Sequence, residues 1–168
     1  MATKISKSML SVNLIPSVND YGAKGDGVTD DTAAFIAFLA DVQVGFVPPG
    51  NYKLTGQIKP RSDQYIYGCG KASRLIYAGP NSGTFIFFDA VSRSSLKELQ
   101  IQIPYADYTS VSGITASNCS EIEIEGIRFN GGIFTNTSAQ IQYAVTSTGG
   151  SLNFNAVTTV GWIDRRGR

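Results

Sequence analysis

The 168-residue sequence contains no histidine. That removes zinc centres built on imidazole ligands and the serine or cysteine triads that use His as their base. Cysteine is nearly as scarce, and Cys69 and Cys119 show no metal-ligand spacing. They read as small buried hydrophobes near turns, or as a pair if stacked turns bring them together. Charge is thin, at 16% of residues with a net of +1, so no strong basic field exists to draw nucleic acid or an anionic membrane. No run is long and apolar enough to span a bilayer, and Met1 to Pro16 lacks the apolar core of a secretory signal. The expectation is a chain that stays in, or is assembled in, a cytoplasm, without cofactor or metal.

What is present is glycine, hydroxyl and aromatic side chains: 18 Gly, 8 Tyr and 9 Phe with many Ser, Thr and Asn, the composition of a turn-rich all-β chain of a single domain. One stretch, Val18 to Leu54, stands apart. Asp26-Gly27 is a turn dipeptide, and Thr29, Asp30 and Asp31 offer side-chain oxygens to the free N–H groups of a helix start. In the helix that follows, Phe35, Phe38, Leu39 and Val42 recur at i, i+3, i+4 and i+7, one apolar face. Burying those four contributes on the order of 6–12 kcal/mol, an upper bound. After Val44 to Val47 comes Pro48-Pro49-Gly50, a stop, and then Tyr52, Leu54 and Ile58 with polar residues between. No second helix of this quality follows.

The run DYGAKGDGVTDDTAAF followed by FVPPGNYKL resembles the N-terminal segment of the pectate-lyase-like superfamily of right-handed parallel β-helices, found in bacteriophage tailspikes and in polysaccharide-cleaving proteins. The resemblance implies an all-β solenoid with an N-terminal capping α-helix at about 30–42 that lies as a lid over the first coil. The absent histidine departs from the signature of the polygalacturonase branch of that superfamily.

The rest of the chain fits a solenoid. Ile66 and Tyr67 lead into Gly68-Cys69-Gly70, read as a tight turn before a strand at Leu75 to Tyr77, and Phe85 to Phe88 reads as a strand buried on both sides. Leu96, Leu99 and Ile101 then share their spacing with Ile124, Ile127 and Phe129 at an offset of 28, and Phe154 and Val157 continue the series roughly 30 residues later. Such periods mark arrays in which each unit buries its face only by stacking on the next. About four coils are expected over residues 18–168, with residues 1–17 as an arm in which Leu10, Val12 and Leu14 alternate, either an attachment segment or a frayed end. The C-terminal coil edge needs a cover, from further residues or an associated protein.

Four sets of residues are candidates for chemistry or binding. Glu121, Glu123 and Glu125 alternate with isoleucines, so their carboxylates share a face, either as acid and base on a sugar or as a solvated polar surface. Asp26, Asp30 and Asp31 lack the order of an EF-hand loop and read as turn and helix cap. Arg74, Arg93 and Arg128 are the coil arginines that resemble a lyase base, yet no set of calcium carboxylates stands near them, and no catalytic, cofactor or metal residue is assigned. Tyr65, Tyr67, Tyr77, Tyr105 and Tyr108 lie where strands meet turns, as core, rim or sugar-stacking rings. Arg165, Arg166 and Arg168, after Asp164, read as a solvated tail or as contacts for phosphate or an acidic partner. The resemblance implies a structural and attachment part of a phage tailspike or tail fibre. On that expectation the protein is a virion protein and a homotrimer that joins other tail or baseplate proteins and recognises host cell-surface polysaccharide, with neither nucleic acid nor membrane insertion. The alternative is a polysaccharide lyase or glycoside hydrolase, and a third is a free carbohydrate-binding module.

Overall fold

Beyond the lid, runs in which every second side chain is apolar become strands, and each strand stacks on its successor one turn later. In the computed structural model these are β1 (Asp26–Asp30), β2 (Val44–Phe46), β3 (Gly50–Leu54), β4 (Tyr65–Tyr77), β5 (Ser82–Asp89), β6 (Ser92–Gln102) and β7 (Ser110–Ser117). They continue as β8 (Ser120–Glu125), β9 (Arg128–Asn130), β10 (Val145–Thr148), β11 (Leu152–Asn155) and β12 (Thr158–Val160), with one α-helix, α1 (Thr32–Asp41), between β1 and β2. The structure describes residues 14–104 and 110–130 and, after them, the backbone of β10, β11 and β12.

Among the described residues every strand pairing is parallel. Three columns result. The first runs β2, the start of β4, the start of β6, β8, β11; the second runs β1, β3, the end of β4, the end of β6, β9, β12. The third runs from a bridge at Ile58 through β5 and β7 to β10. Going once around all three columns is one turn, about four turns are completed, and the fold is a parallel β-helix. The 28-residue offset is the stacking register itself: Leu96 pairs with Ile124 and Ile101 with Phe129, and Phe154 in turn sits over Ile124. Val157 lies outside the described residues.

The core is the inside of the coil. Ile66, Leu96 and Ile124 stack in its first column, Leu75, Ile101 and Phe129 in its second, Ile86 and Ile114 in its third, all buried. Phe85, Ile86 and Phe88 are buried as expected, but Phe87 turns outward and the Lys59 ammonium lies 5.2 Å from its ring centre.

Corners recur where the backbone enters the left-handed region. Asp63, Arg93 and Glu121 hold φ of 59°, 52° and 56° at one corner in three successive turns. Gly70, Glu98 and Gly126 do so at the next corner (63°, 51°, 62°), and Ala90 and Asn118 at a third (53°, 55°). Glycine meets this demand without a Cβ penalty, which is why Gly70 and Gly126 flank the one glutamate in their file. Gly68-Cys69-Gly70 is therefore not a tight turn between two strands. It is such a corner inside the continuous β4, where the pairing register slips between Tyr67 and Gly70 and again before Arg74.

The lid closes the N-terminal end. Phe35, Phe38, Leu39 and Val42 are all buried; Phe35 meets the Tyr52 ring edge-on at 5.4 Å and Phe38 meets Tyr21 at 5.5 Å. The helix itself stops at Asp41, and Val42 is its extended C-cap residue. Its start is built differently from the expectation. Asp30 accepts from the Thr32 N–H at 3.0 Å and so serves the first turn, whereas Thr29 donates its hydroxyl to Asp26. Asp31 is the N-cap residue but makes no side-chain cap, because its buried carboxylate takes the Lys24 and Gly25 N–H groups at 2.7 and 3.0 Å. Among the described residues no helix is long and apolar enough to cross a membrane.

Candidate functional site

The strand period places residues 44, 46, 65, 67, 95, 97, 123 and 125 on the outside of the first column, since Gly45, Ile66, Leu96 and Ile124 between them are buried. Register then aligns them in two files: Val44, Tyr65, Ser95, Glu123 and, beside it, Phe46, Tyr67, Lys97, Glu125. The result is a surface with rings at the lid end and charges further along. Tyr67 packs 5.2 Å from Phe46 and 5.7 Å from Tyr65, centre to centre, and Tyr65 is 40% exposed.

Lys97 joins the two halves of this surface. Its ammonium lies 2.9 Å from a carboxylate oxygen of Glu123, 2.9 Å from one of Glu125, and 5.5 Å from the centre of the Tyr65 ring. Hydrogen bonds to Glu123 and then Glu125 hold the Lys97 ammonium well above its ordinary range. The like charges that sequence places two residues apart are thus bridged by one ammonium from the turn before. Glu121 does not share the cluster; it occupies the corner file with Asp63 and Arg93, which form an ion pair at 2.6 Å. Ser95 sits between Tyr65 and Glu123, 7% exposed, and its hydroxyl has no partner among the described residues.

With both carboxylates engaged by Lys97, the arrangement is poorly suited to act as an acid–base pair. The Tyr65 ring offers a stacking face and Lys97 a polar group beside it, a mix that sugar rings and protein interfaces both use. Lys97 escaped the sequence reading, although the offset that aligned Leu96 with Ile124 also places residue 97 on residue 125.

The remaining candidates separate. Tyr77 is buried, donating to the Pro80 carbonyl at 2.8 Å. Tyr105, Tyr108 and the terminal arginines lie outside the described residues. Arg74 and Arg128 share the outer face of the second column, one turn either side of Gln100, and Arg93 is bound to Asp63 at its corner. Asp26 accepts from the N–H groups of Val28 and Thr29 at 2.9 and 2.8 Å, a local turn. Cys69 and Cys119 are unpaired, the first exposed and the second buried. Among the described residues no group of His, Cys, Asp or Glu is placed to hold a metal ion.

Residues 15–92 match the family model described as rhamnogalacturonase A/epimerase, pectate lyase-like. The chain carries a pectate-lyase-like segment. That segment holds the lid, the first coils and the ring-bearing end of the surface; Lys97, Glu123 and Glu125 lie past it. The chain is 42% identical over 60 residues to the pre-neck appendage protein of Bacillus phage phi29, a match covering 36% of this chain and 7% of that one. It is 36% identical over 72 residues to mannuronan C5-epimerase AlgE5 of Azotobacter vinelandii, again 36% of this chain and 7% of the relative. Among solved structures, ι-carrageenase complexed to ι-carrageenan fragments superposes with a TM-score of 0.63 at 13% identity, over 94% of this chain and 41% of that one, a likeness of fold.

Proposed function

We propose that this chain is a structural and attachment part of a phage tail appendage, a virion component whose β-helix takes hold of host cell-surface polysaccharide. The observation that carries the tail assignment is the 42% identity over 60 residues to the phi29 pre-neck appendage protein. The polysaccharide contact is assigned to the exposed Tyr65 ring together with the half-buried Tyr67 and Lys97 beside it in the first column. Homotrimeric association and seating on other tail or baseplate proteins belong to the same reading, three parallel coils giving a rigid post.

The test has two arms. Light scattering after size exclusion should give three copies of the 168-residue chain, and a monomer counts against the spike. Host capsular polysaccharide should bind, and the double variant Tyr65→Ala/Tyr67→Ala should weaken that binding at least several-fold while circular dichroism stays unchanged. Unchanged binding removes the rings from the site. The similarity to the mannuronan epimerase favours a second reading, an enzyme acting on polysaccharide. Release of reducing or unsaturated sugar ends from the bound polymer would select a lyase or glycosidase over the attachment role.

A further inference from the structure

We propose that residues 1–13 of this chain lie across the outer face of its own lid, with Ile36 as the centre of the contact. The inference is independent of the tail and polysaccharide readings above.

A helix that shields a core normally shows charged or polar side chains to water. α1 does not. From Thr32 to Ala40 it carries no charged residue, and while Phe35, Phe38 and Leu39 turn into the coil, Ala33, Ile36, Ala37 and Ala40 recur at i, i+3, i+4 and i+7 on the other side, all exposed. Ile36 is 53% exposed. Single apolar side chains at a surface are ordinary, but here they collect at one end. Among the described residues the large hydrophobics left exposed are Leu14, Ile15, Val28, Ile36, Val44 and Tyr65, and none follows Tyr65. A helix apolar on both faces has the pattern of one that is covered on both.

The chain supplies a cover at the right place. Phe46 donates its N–H to the Pro16 carbonyl at 2.9 Å and pairs with Ser17, so the arm is pinned beside β2, the strand that follows the lid. Residues 1–13 continue from there, outside the described residues. Extended, such a segment reaches about 43 Å, whereas the ten residues of α1 span only about 15 Å. Ile5, Met9, Leu10 and Val12 give it apolar side chains, and its charged side chains are Lys4 and Lys7.

Charge favours the same pairing. Asp20, Asp26, Asp30 and Asp41 are exposed on the lid and the elements before it, and Asp31 is buried there. The basic groups at this end are Lys24, Lys53, which reaches the Val28 carbonyl at 3.4 Å, and Arg61, bound to the Leu39 carbonyl at 2.9 Å. Lys59 is turned to the Phe87 ring. Five carboxylates against three cations leave the lid end acidic, and a segment with two lysines and no acid suits it. The lid then separates two apolar layers, the coil interior on one side and the arm on the other.

The experiment uses Ile36→Cys in the full 168-residue chain and reads the rate at which a maleimide modifies the new thiol, resolved by peptide mass from the exposed native Cys69. The expected rate is about tenfold lower in that chain than in the same variant with residues 1–13 removed, while Cys69 reacts equally in both. Leu10→Asp/Val12→Asp keeps the length and should release the thiol as the deletion does, and Lys4→Glu/Lys7→Glu should do so in part. Circular dichroism and the urea midpoint establish that each variant folds. Equal rates with and without the arm, or a rate unmoved by Leu10→Asp/Val12→Asp, overturn the proposal. Refolding the armless Ile36→Cys chain with an excess of the native chain should leave its thiol fast. A slowed thiol in that mixture also overturns the proposal, since the cover then comes from a second copy.

Discussion

The side-chain amide of Gln64 donates to the Leu39 carbonyl at 2.7 Å, joining the second turn of the coil to the last turn of the lid across 25 residues of sequence. The same nitrogen donates to the Val42 carbonyl at 2.7 Å, and the amide oxygen accepts the Arg61 N–H at 2.9 Å, so this buried glutamine is fully used. Carbonyls at a helix end have no partner within the helix. Gln64→Leu keeps the bulk and strands them, and should cost ~2–3 kcal/mol of stability in urea unfolding. Leu39 keeps a bond from Arg61 Nε at 2.9 Å, so Val42 bears most of the loss.

Gly45 is the floor on which the lid rests. A Cβ placed there would lie 2.7 Å from a ring carbon of Phe38 and 2.8 Å from Val42 Cγ2. Gly45→Ala must lift the helix or bend a rotamer, at about 1–3 kcal/mol. Phe38→Leu in the same chain removes the ring and should return part of that loss. A double-mutant cycle in urea that shows simple additivity would mean the two sites do not touch.

Ala90 is exposed and holds a φ of 53°. A left-handed conformation costs an alanine roughly 1–2 kcal/mol that glycine does not incur. Ala90→Gly should accordingly stabilise the protein by about 1 kcal/mol, against the usual sense of a strand-end glycine. Asn118 occupies the equivalent corner one turn later, and asparagine tolerates this region better than most residues.

Asp30 and Asp26 set the acid limb of stability. Hydroxyl bonds from Thr32 and then Thr55 hold the Asp30 carboxyl down to about 2, and the N–H groups of Thr29 and Val28 hold Asp26 at about 2. Both lie below the unfolded value near 3.9. Their stabilisation is present in full above about pH 4 and is lost as pH falls from there through 2, where the folded forms take up protons. Asp30→Asn should narrow the gap to the native chain steadily across that window, measured as urea midpoint against pH. A gap that stays constant from pH 5 to pH 2 would place the effect of Asp30 elsewhere.

Residues that repeat were the legible ones. Leu96 and Ile124, or Ile101 and Phe129, announce the stack because each apolar side chain must lie over another one turn on, and this constraint is written directly as a spacing. The apolar face of α1 was equally plain, since Phe35, Phe38 and Leu39 go into one core with the C-cap residue Val42. The Gly68-Cys69-Gly70 corner was not, because glycine marks a positive φ without saying whether the strand ends there or merely bends. Nor did the carboxylate face of β8 disclose Lys97, whose partnership with Glu123 and Glu125 is made between turns.

The corner files behave like the thread of a screw. Because Asp63, Arg93 and Glu121 bend the backbone at the same station in each revolution, a whole revolution inserted or removed would leave every later station aligned. One residue gained or lost inside a strand would instead turn each inward side chain out until the next bend restored the phase. Length in such a molecule is free to vary in units of a revolution, while its cross-section is not.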